Sequence, residues 1–264
     1  MTTLPAKILT VAVHKGGAGK TTLALHCVHW ARKLGLRTLQ IDLDAQGNAT
    51  SNWTDPGAVT NGTAVASRLF HQDAAEEGHP ITVDDTLELI PADRAGLLVM
   101  EQLPDKAART FGDQVRARSE GYDLVVIDTP PTMGMGMLAP LVAADAAFSP
   151  IVPDPYGIQG VTSILDRVEV VRRDWNPQFQ FLGLVINRWN SRSKAEGEMV
   201  EQLRELGDLM LPTPVHQSAA IASTAFSQRP VWAGARSGHQ RKAANEVQAL
   251  MKVVFGKLGL GGGR

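Results

Sequence analysis

Short apolar runs rich in β-branched residues recur along the chain, and longer segments that mix apolar and polar positions separate them. Runs of this length and composition predict strands buried on both faces, and the segments between them predict the helices of βαβ units. The runs are KILTVAV, RTLQIDLD, TLELIPA, DLVVIDTPP, AAFSPIVP and FLGLVIN. The pattern therefore predicts an α/β fold, a doubly wound and mostly parallel twisted sheet with helices on both faces.

The first apolar run leads directly into KGGAGKTT, residues 15–22, which we call the glycine loop, and then into a helical segment that ends at Gly35. A glycine-rich loop between a strand and a helix binds phosphates through its backbone N–H groups and the helix dipole. The motif G-x-x-x-x-G-K-[ST] needs one lysine, here Lys20, and glycine at the position of His14. The sequence therefore predicts a phosphate site with one additional cation, Lys15.

Individual residues of the glycine loop have distinct expected contacts. Thr21 is expected to supply a hydroxyl to Mg²⁺, and Thr22 to hydrogen-bond the α-phosphate. The run LVVID places Asp128 at the carboxyl end of a strand, where open α/β sheets bind ligands, and Asp128 would hold Mg²⁺ through a water. The predicted nucleotide-binding residues of the loop are Lys15, Gly16, Gly17, Ala18, Gly19, Lys20, Thr21 and Thr22.

Two further carboxylates, Asp42 and Asp44, lie at the end of RTLQIDLD. Alternate residues of an extended strand point the same way, so both side chains can face one site. Asp44 is suited to orient the water that attacks a γ-phosphate, and we predict it to be catalytic together with Lys20. Asp42 is a candidate Mg²⁺ ligand, with loop capping as the alternative.

Composition sets only broad limits. The chain has 264 residues, of which 44% are hydrophobic and 20% charged, as in ordinary globular proteins. We expect one domain over residues 1–258, a surface excursion over residues 52–80, and a disordered tail over residues 259–264. A single cysteine, Cys27, excludes an intrachain disulfide. Neither a signal-peptide pattern nor an apolar stretch of membrane-spanning length is evident, so we expect a cytoplasmic protein.

Three motifs taken together, K-G-G-x-G-K-T-T, D-x-D-x-Q-G-N-A-T and V-I-D-T-P-P, resemble the ParA/MinD family of deviant Walker-A ATPases, most closely its ParA partition branch. The resemblance extends from KILTVAV to EVQALMKVV. It implies a P-loop NTPase fold, Mg²⁺-dependent ATPase activity, and ATP and Mg²⁺ as cofactors. It also implies a homodimer formed around two ATP molecules. In that dimer the lysine matched by Lys15 contacts the phosphates bound by the partner and is catalytic, because it stabilises the charge of the transition state.

The same resemblance implies base-binding residues and partners. Asn187 at the end of FLGLVIN is similar to the position that contacts adenine, and Pro214 to a proline that flanks the base, although both residue types are also common in turns. The implied partners are non-specific DNA and a ParB-like or cargo adaptor protein that stimulates hydrolysis. The protein would then be nucleoid-associated and would segregate a plasmid, a chromosome or another cargo.

The net charge of −1 does not indicate a nucleic-acid partner, but the basic residues concentrate near the C-terminal end. From residue 229 to residue 264 the only acid is Glu246. This basic segment would attract DNA phosphates without reading the base sequence, and its alternative is a solvated helix face. The candidate DNA-binding residues are Arg229, Arg236, Arg241 and Lys242.

Three alternative functions have weaker support in the sequence. A membrane-cycling positioning ATPase like MinD would end in an amphipathic helix, but Gly256 and Gly259 are expected to break such a helix, and we expect no membrane partner. An electron-transfer ATPase of the nitrogenase iron-protein type needs bridging cysteines, which Cys27 alone does not supply. A metabolic enzyme would need a further nucleophile or base, and His26 and His29 are expected to be packed or surface residues rather than metal ligands.

Overall fold

An eight-stranded sheet forms the centre of this computed structural model, which describes residues 5–13, 15–72 and 78–261. Its order is β3-β4-β2-β5-β1-β6-β7-β8, and only the β3–β4 pair is antiparallel. The predicted doubly wound, mostly parallel sheet is confirmed. The strands are β1 (Lys7–Val11), β2 (Thr38–Asp42), β3 (Ile81–Asp84), β4 (Leu87–Ile90), β5 (Leu124–Asp128), β6 (Ala146–Ile151), β7 (Gln180–Trp189) and β8 (Val215–His216).

Helices pack on both faces of this sheet. Ile8 on β1 faces the core that includes α4, α5 and α6, whereas the next residue, Leu9, faces the core that includes α1 and α10. Because both faces are covered, the strands read as continuous apolar runs rather than alternating ones. In the described residues the helices are α1 (Lys20–Lys33), α2 (Asn48–Trp53), α3 (Arg94–Met100), α4 (Ala107–Arg118), α5 (Met135–Ala143), α6 (Gly157–Val170), α7 (Lys194–Arg204), α8 (Ala219–Ala222), α9 (Thr224–Ser227) and α10 (Gly238–Lys257).

The predicted surface excursion over residues 52–80 is wrong for part of that range. A 3₁₀ turn at Ala66–Phe70 lies in the core, where Leu69 is buried and Phe70 packs against Phe111 with ring centroids 4.7 Å apart. Glycines and prolines surround this turn in the sequence. Its four apolar positions are too few to show the period of a helix or a strand, so their burial was not predicted. The sequence also did not predict the edge strand β3. Its four residues show no clear alternation of apolar and polar positions, and none of them is fully buried.

The C-terminal helix α10 continues through Gly256, so the expected helix break at that position is wrong. Leu250 and Val254 are completely buried in the core shared with α1, and this packing outweighs the low helix propensity of one glycine. Gly259, with φ of 76°, lies just beyond the helix. Residues 262–264 of the predicted tail lie outside the described residues. Among the described helices, none has the length and apolar character needed to cross a membrane.

Candidate functional site

The glycine loop follows β1 and continues into the first turn of α1, as the sequence predicted. Gly17 and Gly19 have φ angles of 73° and 90°, a conformation that residues with a side chain rarely adopt. Because α1 begins at Lys20, the N–H groups of its first turn and the positive end of its dipole are directed toward the loop. The backbone therefore has the arrangement that phosphate binding requires.

Two consecutive residues at the end of β7 hold the glycine loop in place. The Asn187 amide donates to the Ala18 carbonyl at 2.7 Å, and the Arg188 guanidinium donates to the Gly17 carbonyl. A Cβ atom at Gly19 would lie 2.4 Å from the Asn187 amide nitrogen, so this close approach requires glycine. Arg188 has φ of 57°, an uncommon conformation for a non-glycine residue. The sequence indicated Asn187 but not Arg188, whose partner lies 171 positions away.

A cavity of about 950 Å³ lies beside the glycine loop, which is large enough for a nucleotide-sized ligand. Its lining includes predicted residues from the loop together with Asp44 and Asn187. Residues from the stretch 218–228 form a further wall that the sequence did not predict. Pro214 is not among the described residues that line the cavity. The structure therefore brings the phosphate loop and the candidate catalytic carboxylate to one site.

Asp42 and Asp128 are register partners at the ends of the neighbouring strands β2 and β5, and both are completely buried. The Thr50 N–H and hydroxyl each donate to Asp42 at 2.8 Å, and the Asp44 N–H donates to it at 3.1 Å. Burial raises the pKa of Asp42 to about 6, while these hydrogen bonds act in the opposite direction. These contacts tie the chain around Asp44 to α2, which agrees with the loop-capping alternative for Asp42.

Asp128 differs from Asp42 in its surroundings. Among the described residues, neither of its buried carboxylate oxygens has a hydrogen bond of ordinary geometry. Burial raises the pKa of Asp128 well above its ordinary value and the nearby Asp42 adds to this effect, whereas the Thr21 hydroxyl and Lys20 oppose it. A buried carboxylate without full hydrogen bonding is unfavourable, so a cation or its hydration shell would fit here. An oxygen-only donor set of Thr21 and Asp128 suits Mg²⁺.

The described residues contain no cluster of three or more His, Cys, Asp or Glu side chains able to hold a metal ion. A divalent cation at this site would therefore take most of its ligands from water and phosphate. Mg²⁺ commonly binds in this way, through one or two protein ligands together with substrate phosphates.

Lys20 is buried at the base of the glycine loop, and its ammonium donates to the Lys15 carbonyl at 3.2 Å. Burial lowers the pKa of Lys20, and the negative charges of Asp128 and Asp44 act against that shift. The ammonium thus lies close enough to both carboxylates for their charges to affect it. A cation in this position is available for a phosphate in the cavity.

The side chain of Lys15 pairs with Asp154 in the loop that follows β6. Its ammonium also lies 6.0 Å from the centre of the Tyr156 ring, a side chain that is 68% exposed. A second cavity of about 500 Å³ adjoins this pair and is lined by Lys15, Asp154 and Arg188 among other residues. The sequence did not indicate Asp154 or Tyr156, because their approach to the loop depends on the β1–β6 pairing.

Comparisons with known proteins agree with this geometry. A family model described as an AAA domain matches residues 6–181. Protein IncC of Escherichia coli is 33% identical over 96% of this chain and 70% of its own length. The chromosome-partitioning ATPase Soj of Thermus thermophilus is 31% identical over 94% of this chain and 99% of its own length. The chain belongs to the partition branch of the ParA/MinD ATPase family.

Solved structures agree on the fold of this ParA-family ATPase. An ATP complex of a McdA variant from Cyanothece matches with a TM-score of 0.82 and 19% identity, over 96% of this chain and 97% of that chain. At this identity the match concerns the fold alone. The P-loop NTPase fold implied by the sequence motifs is confirmed.

The basic residues of this ParA-family chain are exposed near the start of α10. Arg229 and Arg236 lie in the segment before that helix, and Arg241 and Lys242 lie in its first turns. The Lys242 ammonium is 3.8 Å from Glu246, so its charge is partly balanced. In the described part of the chain, no acidic group lies within ion-pair distance of the three arginines.

The histidines on α1 are packed side chains, the first of the two outcomes expected from the sequence. Burial lowers the pKa of His26 to about 4 and that of His29 to about 3, so both rings are neutral at physiological pH. Cys27 between them is buried, and burial raises the pKa of its thiol. These residues therefore belong to the core beneath the glycine loop.

Proposed function

We propose that this ATPase binds ATP and Mg²⁺ in the 950 Å³ cavity, dimerises around two ATP molecules, binds DNA non-specifically in that state and is released by hydrolysis. It would thereby segregate a plasmid, a chromosome or another cargo. The observation that carries the proposal is the position of buried Lys20, which holds the glycine loop and lies close to Asp44 and Asp128. The name of the relative Soj, a chromosome-partitioning ATPase, adds support for a partition task.

At the nucleotide, each residue has a distinct part. The glycine-loop N–H groups and Lys20 would bind the β- and γ-phosphates, and Thr22 would bind the α-phosphate. Thr21 and Asp128 would hold Mg²⁺, and Asp42 lies beside Asp128 on the neighbouring strand β2. The bound ion would neutralise phosphate charge. Asp44 lines the cavity and would orient the attacking water. Asn187, which lines the cavity, is the candidate for the adenine end, whereas Pro214 is not among the described lining residues and stays a prediction of the sequence alone.

Dimerisation would depend on Lys15. Its ammonium lies outside the cavity in this structure, paired with Asp154, and therefore adds nothing to the cis phosphate site. In the proposed dimer it would contact the β- and γ-phosphates bound by the partner and stabilise the charge of the transition state. This arrangement would make ATP binding and dimerisation a single event.

The exposed cations Arg229, Arg236, Arg241 and Lys242 would contact DNA phosphates without reading bases. A dimer doubles the number of such contacts, so DNA affinity would follow the nucleotide state. Release would require hydrolysis, stimulated by a ParB-like or cargo adaptor protein, and the ATP-bound form would be nucleoid-associated. We propose no membrane partner.

The test is sedimentation and gel-shift titration of the purified protein with ATP, with ADP and without nucleotide. We expect a dimer and binding to unrelated duplexes of similar affinity only with ATP. Hydrolysis of ATP without dimerisation or DNA binding would overturn the proposal. Binding to anionic vesicles but not to DNA would favour the membrane-cycling alternative.

A further inference from the structure

Two helices of the nucleotide site make buried polar contacts with one distant segment, residues 218–236, which we call the bridging segment. One contact comes from His26 on α1, the helix that begins in the glycine loop, and the other from Asn52 on α2, which follows Asp44. The bridging segment also carries Arg229 and Arg236 and leads into α10.

The first contact determines which nitrogen of the His26 ring carries the proton and which accepts a hydrogen bond. The Val231 N–H donates to Nε2 at 3.2 Å, so Nε2 must be the acceptor. Nδ1 must then carry the proton, and it donates to the Thr22 carbonyl at 2.6 Å. The Trp232 ring packs on the same imidazole with centroids 5.4 Å apart. A single neutral ring therefore links the backbone of the predicted phosphate-binding turn to the backbone of the bridging segment.

The second contact uses both hydrogens of one amide. The Asn52 Nδ2 donates to the Thr224 carbonyl at 3.2 Å and to the Ala225 carbonyl at 3.1 Å, and Asn52 is 2% exposed. Asn52 lies on the same short helix as Thr50, which binds Asp42. A movement of α2 would therefore act on the bridging segment through the Asn52 amide.

The bridging segment is itself a wall of the nucleotide cavity. The residues of this segment that line the cavity are Ser218, Ala219, Ile221, Ala222, Ala225 and Gln228. Its helices α8 and α9 have four residues each, and Gln228 after them has φ of 52°. Helices this short have little stability of their own and depend on such tertiary contacts.

We propose that His26 and Asn52 are positioning residues that couple occupancy of the nucleotide cavity to the conformation of the bridging segment. A ligand in the cavity would contact the wall directly, and the His26 and Asn52 contacts hold that wall in a fixed position relative to α1 and α2. The cations at its end would thereby adopt their DNA-binding arrangement only when nucleotide is bound. The inference rests on the proposed function for its ligands, ATP and DNA.

Hydrogen exchange of the full chain tests the coupling without DNA. The probe is adenylyl imidodiphosphate with Mg²⁺, a non-hydrolysable ATP analogue. We expect it to slow exchange in the glycine loop and, by about fivefold or more, in the bridging segment. Loss of both effects would count against the proposed function, whereas protection of the loop alone would overturn this inference. The parent protein alone can therefore refute it.

A variant identifies the contact that carries the coupling. In Asn52→Ala the analogue should still bind within about threefold of the parent affinity, but the added protection of the bridging segment should be lost. The ratio of DNA affinities with and without nucleotide should fall toward one. Asn176→Ala is the matched control, because the Asn176 amide likewise donates to two carbonyls, at Val142 and Ala144, in contact with α5 rather than with the nucleotide site.

The control separates coupling from a loss of stability. We expect Asn176→Ala to lose stability to a similar extent and yet to keep both the protection of the bridging segment and the affinity ratio. Parent-like coupling in Asn52→Ala, or an equal loss of coupling in Asn176→Ala, would overturn the assignment of Asn52.

Discussion

Lys15 and Asp154 form an ion pair between the glycine loop and the loop that follows β6. Their side chains are 31% and 30% exposed, so the pair lies near the surface, where an ion pair contributes at most about 1 kcal/mol. In the proposed dimer the same ammonium would contact phosphates bound by the partner. The pair with Asp154 would therefore compete with dimerisation.

Lys15→Gln should leave nucleotide binding by the monomer within about threefold of the parent value, because Lys15 lies outside the cis site. It should prevent the ATP-dependent dimer. Sedimentation is best performed in an Asp44→Ala background, where slow hydrolysis would preserve any dimer. Equal dimer formation with and without the lysine would mean that Lys15 acts only within its own loop.

Asp154→Asn should favour the dimer, because the variant has no ion pair at this position that must break before Lys15 contacts the partner's phosphates. The dimer dissociation constant with adenylyl imidodiphosphate should fall by up to about fivefold, the equivalent of roughly 1 kcal/mol. Analytical ultracentrifugation over a concentration series measures the change. Asp174→Asn is the control, because Asp174 pairs with Arg173 in a π-helical turn after α6. A weaker dimer in Asp154→Asn would show that Asp154 supports the interface instead.

Lys20→Ala should abolish both ATP binding and hydrolysis, since it removes the cis cation of the phosphate site. Asp44→Ala should lower turnover at least about a hundredfold while ATP still binds, because only the orientation of water is disturbed. Steady-state turnover and equilibrium titration with the ATP analogue separate the two effects. An Asp44→Ala variant with parental turnover would remove Asp44 from the mechanism.

Asp128→Asn should make the nucleotide-free protein more stable at about pH 7.5 by roughly 1–3 kcal/mol, because it removes a buried carboxyl group that must either carry an unfavourable charge or take up a proton on folding. The pKa of Asp128 is raised by folding, so parent stability decreases as pH rises from about 4 toward that raised value. The advantage of the variant should therefore shrink as pH falls. Urea unfolding across pH measures it.

The same substitution should behave differently when the site is filled. With Mg²⁺ and adenylyl imidodiphosphate present, the stability advantage of Asp128→Asn should disappear, because the parent carboxylate then has a cation beside it. A variant no more stable than the parent without ligand would contradict the unfavourable burial inferred for Asp128.

Arg241→Ala should weaken binding to every duplex alike and flatten the salt dependence by about 0.9 in the logarithmic slope for each DNA phosphate that is no longer neutralised. Lys242→Ala should have a smaller effect, because Glu246 already balances part of that charge. Lys106→Ala is the charge-matched control, since Lys106 precedes α4 on the opposite face of the sheet. Gel shifts over a salt series measure the DNA affinities of the three variants. Equal affinities would indicate that the basic segment is a solvated helix face that does not contact DNA.

Continuous apolar runs predicted the strands that are buried on both faces, because such runs mark them directly. Asp128 lies at the end of a central strand as predicted, since a strand end is a local feature of the sequence. The sequence could not show that Asp42 and Asp128 lie side by side, because that position depends on the register between β2 and β5. The same holds for Asp154 beside Lys15, 139 positions apart, and for Asn52 beside Thr224. Such contacts follow from sheet order, which a periodic pattern does not specify.

The clamp of Asn187 and Arg188 on the glycine loop has a consequence for how the chain folds during synthesis. The loop emerges early, yet the two residues that fix its carbonyls follow 169 and 171 positions after their partners. Contacts this far apart form only after the intervening chain has closed a long loop. A nascent chain released before β7 would carry every predicted phosphate-binding residue of the loop without its final geometry. The proposed nucleotide site would therefore form only late in translation.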